Sequence, residues 1–314
     1  MVTPLRVVFF GTPAFAVPTL ERLIASPHSV VAVVTQPDRP SGRGQRTHDT
    51  PVKAAAAPYG IPVFQPATLK DPSIEPALRE LAPDLGVVAA YGRIIPSRLL
   101  TLPRLGMINV HASLLPRYRG AAPVHRAVIN GDRETGVTIM RVVPELDAGA
   151  MFATVTRPIG PDDTSDAVER DLATLGAELL VHIVNRMAAG TATETPQEAS
   201  QATYAARLTK EEGRLDWTQP AERLRNQVRG LYPWPHACTY LDGARLILLH
   251  ARTGPEGSAA APGTVLQADP EGILVAGGDG TSLLIDRLQP EGRRPMDARA
   301  FLAGRPITSG VTLS

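Results

Sequence analysis

The chain has 314 residues, of which 43% are hydrophobic and 20% charged, and its net charge is +1. This length and composition are typical of a globular protein of two domains and exclude a collagen-like or disordered chain. No apolar run approaches the roughly 20 residues of a membrane-spanning helix, and no secretory leader is recognisable, so we expect a cytoplasmic protein. The single cysteine, Cys238, excludes an intrachain disulfide and a multi-cysteine zinc site.

In the first half of the chain, short apolar runs alternate with segments of helical spacing. Strands are predicted over residues 6–10, 29–35, 61–64, 85–90, 107–110 and 136–143. Helices are predicted over residues 15–25, 51–58, 72–81, 123–130 and 164–189. This alternation predicts an α/β domain with a Rossmann-like, mostly parallel sheet that has helices on both faces.

A small and polar stretch over residues 190–207 predicts a linker between a domain of residues 1–189 and a domain of residues 208–314. After it, a helix is predicted over 221–230, followed by β-rich runs over 237–241, 246–251, 263–267, 272–276 and 282–288. Turn sequences such as Asp242-Gly243 separate these runs. The second domain is therefore predicted to be a small β-barrel.

Charge is distributed unevenly along the sequence. Residues 1–131 carry an excess of arginine and lysine, whereas residues 132–208 carry an excess of acid. Residues 85–131 contain six arginines and neither aspartate nor glutamate. The first part of the chain is therefore the part best suited to anionic groups such as phosphate or carboxylate.

Three polar side chains follow predicted strands closely enough to form a site. Asn109 and His111 are two residues apart, so both point to one face near the carboxyl end of a strand, where open α/β sheets bind ligands. Asp147 follows the strand predicted over 136–143 and is expected on the same rim. Each has an alternative role: Asn109 as a cap of the following turn, His111 as a core histidine, and Asp147 as an ordinary turn residue.

Two kinds of cofactor are not predicted. The turn Gly11-Thr12-Pro13 after the first strand lacks the second and third glycines of a dinucleotide-binding fingerprint. The histidines and carboxylates show no spacing typical of a metal site. We therefore expect neither a nucleotide cofactor nor a metal ion.

Several sequence blocks together carry a family resemblance. In the first half they are FFGTP (9–13), QPDRPSGRG (36–44), NVHASLLPRYRGAAP (109–123) and LDAG (146–149). In the second half they are KEEGRLDW (210–217), YPWP (232–235) and LQPEGRR (288–294). With these blocks the chain resembles the methionyl-tRNA formyltransferases from end to end. The resemblance implies a formyltransferase fold followed by an OB-like barrel that binds tRNA.

The reaction that the resemblance implies is transfer of the formyl group of 10-formyltetrahydrofolate to the α-amino group of methionyl initiator tRNA. Such a reaction needs stabilisation of a tetrahedral oxyanion and movement of a proton from the amine to the leaving folate nitrogen. We expect Asn109 to donate to the oxyanion and His111 to act as a donor or proton shuttle. Asp147 is expected to hold the imidazole tautomer or to accept the amine proton through water.

The resemblance also implies binding residues, and we expect a monomer that binds folate and charged initiator tRNA but no membrane. The folate contacts are expected in the loops after the strands: Tyr91, Gly92, Arg93, Ser113, Leu114, Leu115, Pro116 and Val143. Residues 113–116 have an alternative role as a turn that only orients His111. The tRNA contacts are expected at Arg39, Arg43, Arg46 and Lys210, with Arg43 the principal one, although loop 36–50 is alternatively an ordinary solvated loop.

Three rival functions remain open on the sequence alone. An aminosugar formyltransferase, or a hydrolase or dehydrogenase that consumes formyltetrahydrofolate, would share Asn109, His111 and Asp147 but would not need the arginine-containing loop. A catalytically silent RNA-binding protein would need the loop and the barrel but not the three polar residues. A formyl-transfer assay with different acceptors distinguishes these possibilities.

Overall fold

The computed structural model describes residues 3–41 and 46–314, and the chain divides into two compact units. The first unit comprises the chain up to Pro123, Glu134–Pro158 and Glu169–Ala205. The second comprises Val124–Arg133, Ile159–Val168 and Ala206–Ser314. Most of the stretch that was predicted as a linker, residues 190–205, lies within the first unit.

The helices and strands up to residue 205 contain the predicted alternation and, in addition, several elements that were not predicted. In chain order they are β1 (Arg6–Gly11), α1 (Val17–Ile24), β2 (Ser29–Val34), β3 (Arg39–Ser41), β4 (Arg46–His48), α2 (Pro51–Ala56), β5 (Val63–Phe64), α3 (Ile74–Glu80), β6 (Leu85–Ala89), α4 (Ser97–Leu100), β7 (Met107–His111), β8 (Arg119–Gly120), α5 (Pro123–Ile129), β9 (Glu134–Arg141), β10 (Met151–Pro158), α6 (Ser165–Ala188) and β11 (Tyr204–Ala205).

The sheet of the first unit has seven strands in the order β10-β9-β7-β6-β1-β2-β5. Strands β5, β2, β1, β6 and β7 are parallel, which confirms the predicted Rossmann-like arrangement. β9 runs antiparallel to both of its neighbours, β7 and β10. β10 was not predicted, because its residues alternate between exposed and half-buried instead of forming an apolar run.

Strand β7, which carries Asn109 and His111, is fixed from several sides. It pairs with β6 on one edge and with β9 on the other. Helix α6 packs closely against one face of this part of the sheet: a Cβ placed on Gly176 would lie 2.8 Å from the Cγ1 atom of Val110. Because side chains alternate along a strand, Asn109 and His111 point to the opposite face.

The second unit contains an antiparallel sheet in the part of the chain for which a small β-barrel was predicted. Its elements in the C-terminal part are α7 (Ala221–Gly230), β12 (Ala237–Leu241), β13 (Ala244–Thr253), β14 (Val265–Asp269), β15 (Gly272–Ala276), β16 (Ser282–Pro290), β17 (Met296–Asp297) and α8 (Ala298–Gly304). The strand order is β12-β13-β16-β15-β14, with β17 paired to β16.

The tail of residues 310–314 joins the two edges of this sheet. Ser314 and Tyr240 of β12 exchange two backbone hydrogen bonds of 3.0 and 2.8 Å. On the other edge, Gly310 donates to the carbonyl of Val265 in β14, and the Val265 amide donates to Val311. Leu313 is only 2% exposed and belongs to the core of the unit. The tail therefore links the two edge strands of the sheet and is anchored by a buried side chain.

Candidate active site

His111 is held by a backbone carbonyl. The residue is 6% exposed, and its Nε2 lies 2.9 Å from the carbonyl oxygen of Tyr118. A carbonyl can only accept, so Nε2 carries the proton and Nδ1 of the neutral ring has the free lone pair. Asp147 was expected either to hold the imidazole tautomer or to accept the amine proton through water. The hydrogen bond that holds the ring is made by the Tyr118 carbonyl, so the first of these roles is not needed, and the second stays a prediction.

The Nδ1 atom of His111 faces the carboxylate of Asp147. Its distance to Oδ2 of Asp147 is 3.7 Å, which is longer than a hydrogen bond. The same oxygen accepts a hydrogen bond of 2.8 Å from the backbone N–H of Gly120. The carboxylate is therefore fixed by the protein, while the imidazole lone pair remains available for a proton.

Asp147 reaches His111 by a route that differs from the expected one. Since β9 is antiparallel to β7, its carboxyl end lies beside the start of β7: Arg141 pairs with Ile108, whereas Thr138 pairs with His111. The carboxyl ends of β7 and β9 therefore lie at opposite edges of the sheet, although a shared rim was expected. The loop of residues 142–150 returns across the sheet instead and brings Asp147 to His111.

Asn109 lies beside His111 on the same face and is half-buried. Its backbone pairs with Val88 of β6 and Met140 of β9. Within residues 3–41 and 46–314, no hydrogen bond of its side-chain amide to the protein is observed. Its N–H groups are therefore available to donate hydrogen bonds to a substrate. The site combines this donor with a proton acceptor and a fixed negative charge, which suits acyl transfer through an oxyanion.

Two of the residues expected to contact folate are already engaged within the protein. The Ser113 hydroxyl donates to the Arg117 carbonyl at 2.6 Å, and the Leu115 N–H donates to Oγ1 of Thr138 at 3.1 Å. Oγ1 of Thr138 in turn donates to the Ser113 carbonyl at 2.7 Å. These bonds favour the alternative role of residues 113–116 as a turn that holds the end of β7.

The other expected folate residues follow β6, β7 and β9. Tyr91 is 2% exposed, its carbonyl accepts from Gln36 Nε2 at 3.0 Å, and burial raises the pKa of its phenol. Gly92 has a φ of +80°, and Arg93 donates to the carbonyl of Ala67. Val143 is half-buried, as are Leu114 and Pro116. Gly92 therefore makes the turn, and the side chains of Tyr91 and Arg93 are held by packing and a hydrogen bond.

Of the four residues expected to contact tRNA, only Lys210 has a side chain that the structure describes. Arg43 lies outside the described residues, and the side chains of Arg39 and Arg46 are likewise outside the description. The backbones of Arg39 and Arg46 belong to β3 and β4, which pair in antiparallel fashion. Lys210 is exposed and lies in the second unit, just before a 3-10 turn over Glu211–Gly213.

The base of the loop of residues 36–50 is held by Asp38. Its carboxylate accepts hydrogen bonds from the Lys53 ammonium, from Gln65 Nε2 at 2.7 Å and from the Thr50 N–H at 3.3 Å. Lys53 and then Gln65 lower the pKa of this carboxyl below its ordinary value. Asp38, near the start of the loop, is therefore tied to Thr50 at its end. Sequence reasoning missed this, because nothing in the residue types indicates which groups meet.

Among the described residues, no group of three or more His, Cys, Asp or Glu side chains is arranged to hold a metal ion. In the same part of the chain, no helix is both long enough and apolar enough to cross a membrane.

Comparison with known proteins identifies the family to which this fold belongs. Residues 5–184 match the family model described as formyl transferase, and residues 207–306 match that of the formyl transferase C-terminal domain. An N-formyltransferase of Helicobacter canadensis, solved with folinic acid and dTDP-3-aminofucose, superposes with a TM-score of 0.69 over 91% of this chain and 99% of that one, at 17% identity. HypX of Aquifex aeolicus with tetrahydrofolic acid superposes with a TM-score of 0.65 over 99% and 51%, at 18% identity. The structural likeness shows a shared fold, and with the family matches it defines a formyl transferase.

Curated relatives narrow the class. The methionyl-tRNA formyltransferase of Thiobacillus denitrificans is 50% identical over 98% of this chain and 99% of its own length. That of Moorella thermoacetica is 47% identical over the same shares of the two chains. The chain belongs to the methionyl-tRNA formyltransferase family.

Proposed function

We propose that this protein transfers the formyl group of 10-formyltetrahydrofolate to the α-amino group of the methionine carried by initiator tRNA. The observation that carries the proposal is the 50% identity, over nearly the whole of both chains, to a relative named for this activity. The grouping of Asn109, His111 and Asp147 around one strand end supports it, because the reaction needs these three kinds of group.

The acceptor needs little activation. An α-amino group has a pKa of about 8 in peptides, and the electron-withdrawing ester that joins the methionine to tRNA lowers this pKa, so much of the amine is neutral at neutral pH and can attack the formyl carbon. The new C–N bond converts the formyl oxygen into an oxyanion. The Asn109 amide donates to that oxygen, and one such donor contributes about 3 kcal/mol to transition-state stabilisation.

His111 moves the proton that the reaction must transfer. Its Nδ1 lone pair takes the proton from the attacking amine and delivers it to N10 of the folate as the bond from N10 to the formyl carbon breaks. The protein therefore gains and loses no proton overall. Proton transfer of this kind contributes roughly 10²–10⁴ in rate. The carboxylate of Asp147, 3.7 Å away, stabilises the imidazolium while it exists.

The substrate-binding residues follow from the same proposal. The folate ring system binds against the loops that contain Tyr91, Gly92, Arg93, Leu114, Pro116 and Val143. Ser113 and Leu115 form one wall of this binding site, because their hydrogen bonds hold the turn of residues 113–116. The side chains of Arg39, Arg43, Arg46 and Lys210 bind tRNA phosphates. We further propose that the protein acts as a monomer in the cytoplasm.

A side-by-side formyl-transfer assay tests the proposal. The acceptors are charged initiator tRNA, charged elongator methionyl-tRNA, free methionine and an amino-sugar nucleotide, each with 10-formyltetrahydrofolate as donor. We expect formylation of charged initiator tRNA, and its loss in Asp147→Asn. Formylation of the amino-sugar nucleotide with no product on tRNA would replace the proposal by the aminosugar function.

A further inference from the structure

A segment next to the site, residues 195–205, crosses both loops that support the catalytic residues. We call it the strap. At its start, Thr195 and Met151 exchange two backbone hydrogen bonds of 2.8 Å. At its end, β11 pairs in parallel with β8, which immediately follows Tyr118. The strap belongs to the first unit, in the stretch that was predicted to be a linker.

Two residues of the site have backbone conformations that are uncommon for any residue but glycine. Tyr118 has a φ of +61° and Asp147 a φ of +47°. The Tyr118 carbonyl orients the His111 ring, and Asp147 provides the facing carboxylate. Such conformations persist only where the surrounding structure holds them, and they concentrate at functional sites. The groups that hold these two residues therefore determine the catalytic geometry.

Gln197 of the strap holds the loop of Asp147. Its Nε2 donates to the carbonyls of Asp147 and Gly149, each at 2.8 Å. Its Oε1 accepts from Nε and Nη2 of Arg119 at 3.0 and 2.8 Å. A guanidinium only donates, so the amide of Gln197 cannot be turned over without losing all four bonds. Arg119 is itself 8% exposed, which keeps the arrangement rigid.

Thr203 of the strap holds Tyr118. Its Oγ1 accepts from the Tyr118 N–H at 2.9 Å, and its carbonyl accepts from the Arg119 N–H, also at 2.9 Å. Its own N–H donates to the Pro116 carbonyl at 3.3 Å. Gln197 therefore supports the unusual backbone conformation of Asp147, and Thr203 supports that of Tyr118.

We propose that Gln197 and Thr203 are positioning residues that set the placement of the Asp147 carboxylate and the His111 ring for proton transfer. Gln197 acts through the backbone of Asp147, and Thr203 acts through Tyr118. The inference rests on the proposed function, since it assumes that His111 and Asp147 serve formyl transfer. A misplacement of about 1 Å in such a site costs roughly 10²-fold in rate.

The test uses full-length protein with substitutions that keep side-chain shape. Gln197→Glu still accepts from Arg119 but cannot donate to the two carbonyls. Thr203→Val removes the hydroxyl that accepts from the Tyr118 N–H and keeps the backbone bonds of residue 203. Matched controls are Gln201→Glu and Thr193→Val, at exposed positions nearby. Thr203→Ser restores the hydroxyl.

We expect kcat to fall roughly 10–100-fold in Gln197→Glu and Thr203→Val, with KM for the folate donor within about twofold of wild type. The controls and Thr203→Ser should stay near wild type. The nitrogen chemical shifts of the His111 ring should move in the two variants and not in the controls, because the ring or its carboxylate partner is displaced.

The outcomes separate the two proposals. If the wild type formylates charged initiator tRNA and both variants keep its kcat, the positioning role is refuted, even if their melting temperatures fall. If the wild type formylates no tRNA, the proposed function fails. The positioning role is then decided by the His111 ring shifts alone: movement in the variants but not in the controls supports it, and unchanged shifts refute it.

Discussion

Thr138 on β9 holds the turn that follows His111, and its replacement by valine tests that turn. The residue is fully buried, and its hydroxyl donates to the Ser113 carbonyl and accepts from the Leu115 N–H. Valine has nearly the same shape but leaves both backbone groups without a partner. Ser113 is 0% exposed and Leu115 6% exposed, so water cannot readily replace the lost bonds.

The size of the effect follows from these two groups. An unsatisfied buried donor or acceptor costs roughly 1–3 kcal/mol, so the pair costs about 2–6 kcal/mol. For a unit of roughly 150–250 residues, each kcal/mol lowers the melting temperature by about 2–4 °C. At the middle of the range, about 4 kcal/mol, Thr138→Val should melt roughly 8–16 °C below wild type.

The matched control is Thr138→Ser, which keeps the hydroxyl and loses one methyl group, at a cost of about 1 kcal/mol. Urea denaturation and thermal melting of the two variants give the comparison. Hydrogen exchange adds a local readout, because the Leu115 amide should exchange faster in the valine variant only. If Thr138→Val is as stable as Thr138→Ser, or the Leu115 amide remains equally protected, the account of this turn is wrong.

Asn109→Ala or His111→Ala should lower the single-turnover rate of formyl transfer by about 10² or more without unfolding the protein, because each removes a transition-state interaction. A variant that retains most of the rate removes its residue from the mechanism. Arg43→Ala should leave folate affinity unchanged and flatten the log–log salt dependence of tRNA binding by roughly 0.7–0.9, as expected for one lost phosphate contact. Kinetics with charged initiator tRNA that do not change at low or physiological salt would contradict a tRNA role for Arg43. In the second unit, the hydrogen bond from Arg126 lowers the pKa of Glu212 below its ordinary value of 4.5. A lowered folded-state pKa contributes stability above the unfolded-state pKa, and this stability is lost as the pH falls through the folded-state value. Arg126→Met should therefore reduce the loss of stability between neutral pH and pH below 4.5 in urea titrations, and an equal loss in both proteins would refute the linkage.

The positions of strands can be predicted from the sequence where the strands are fully buried. The direction of a strand and the hydrogen-bond partners of polar residues cannot. Strands such as β6 are apolar throughout and were placed within one residue of their bounds. The direction of β9 could not be predicted, because a strand buried over most of its length looks the same in parallel and antiparallel pairings. The linker prediction for residues 190–207 rested on small polar residues, yet polar side chains in that stretch make specific hydrogen bonds to the protein.

The candidate site divides in the same way. Asn109 and His111 could be found because two-residue spacing on a strand puts side chains on one face. Tyr118 could not be found, since it acts through its carbonyl, a group that every residue has. Gln197 could not be found either, because it is 50 residues away from the Asp147 carbonyl it binds. Backbone-mediated support is therefore the part of such a site that residue types do not encode.

The tail of residues 310–314 also bears on association between molecules. An open antiparallel sheet has two edges whose unpaired N–H and C=O groups can add a strand from another molecule. Here five residues occupy both edges at once, beside Tyr240 on one and Val265 on the other. Detachment of this segment would expose the unpaired backbone groups of both edge strands at the same time. Since the buried Leu313 side chain anchors the segment, we expect substitutions that loosen it to promote aggregation as well as to weaken the core.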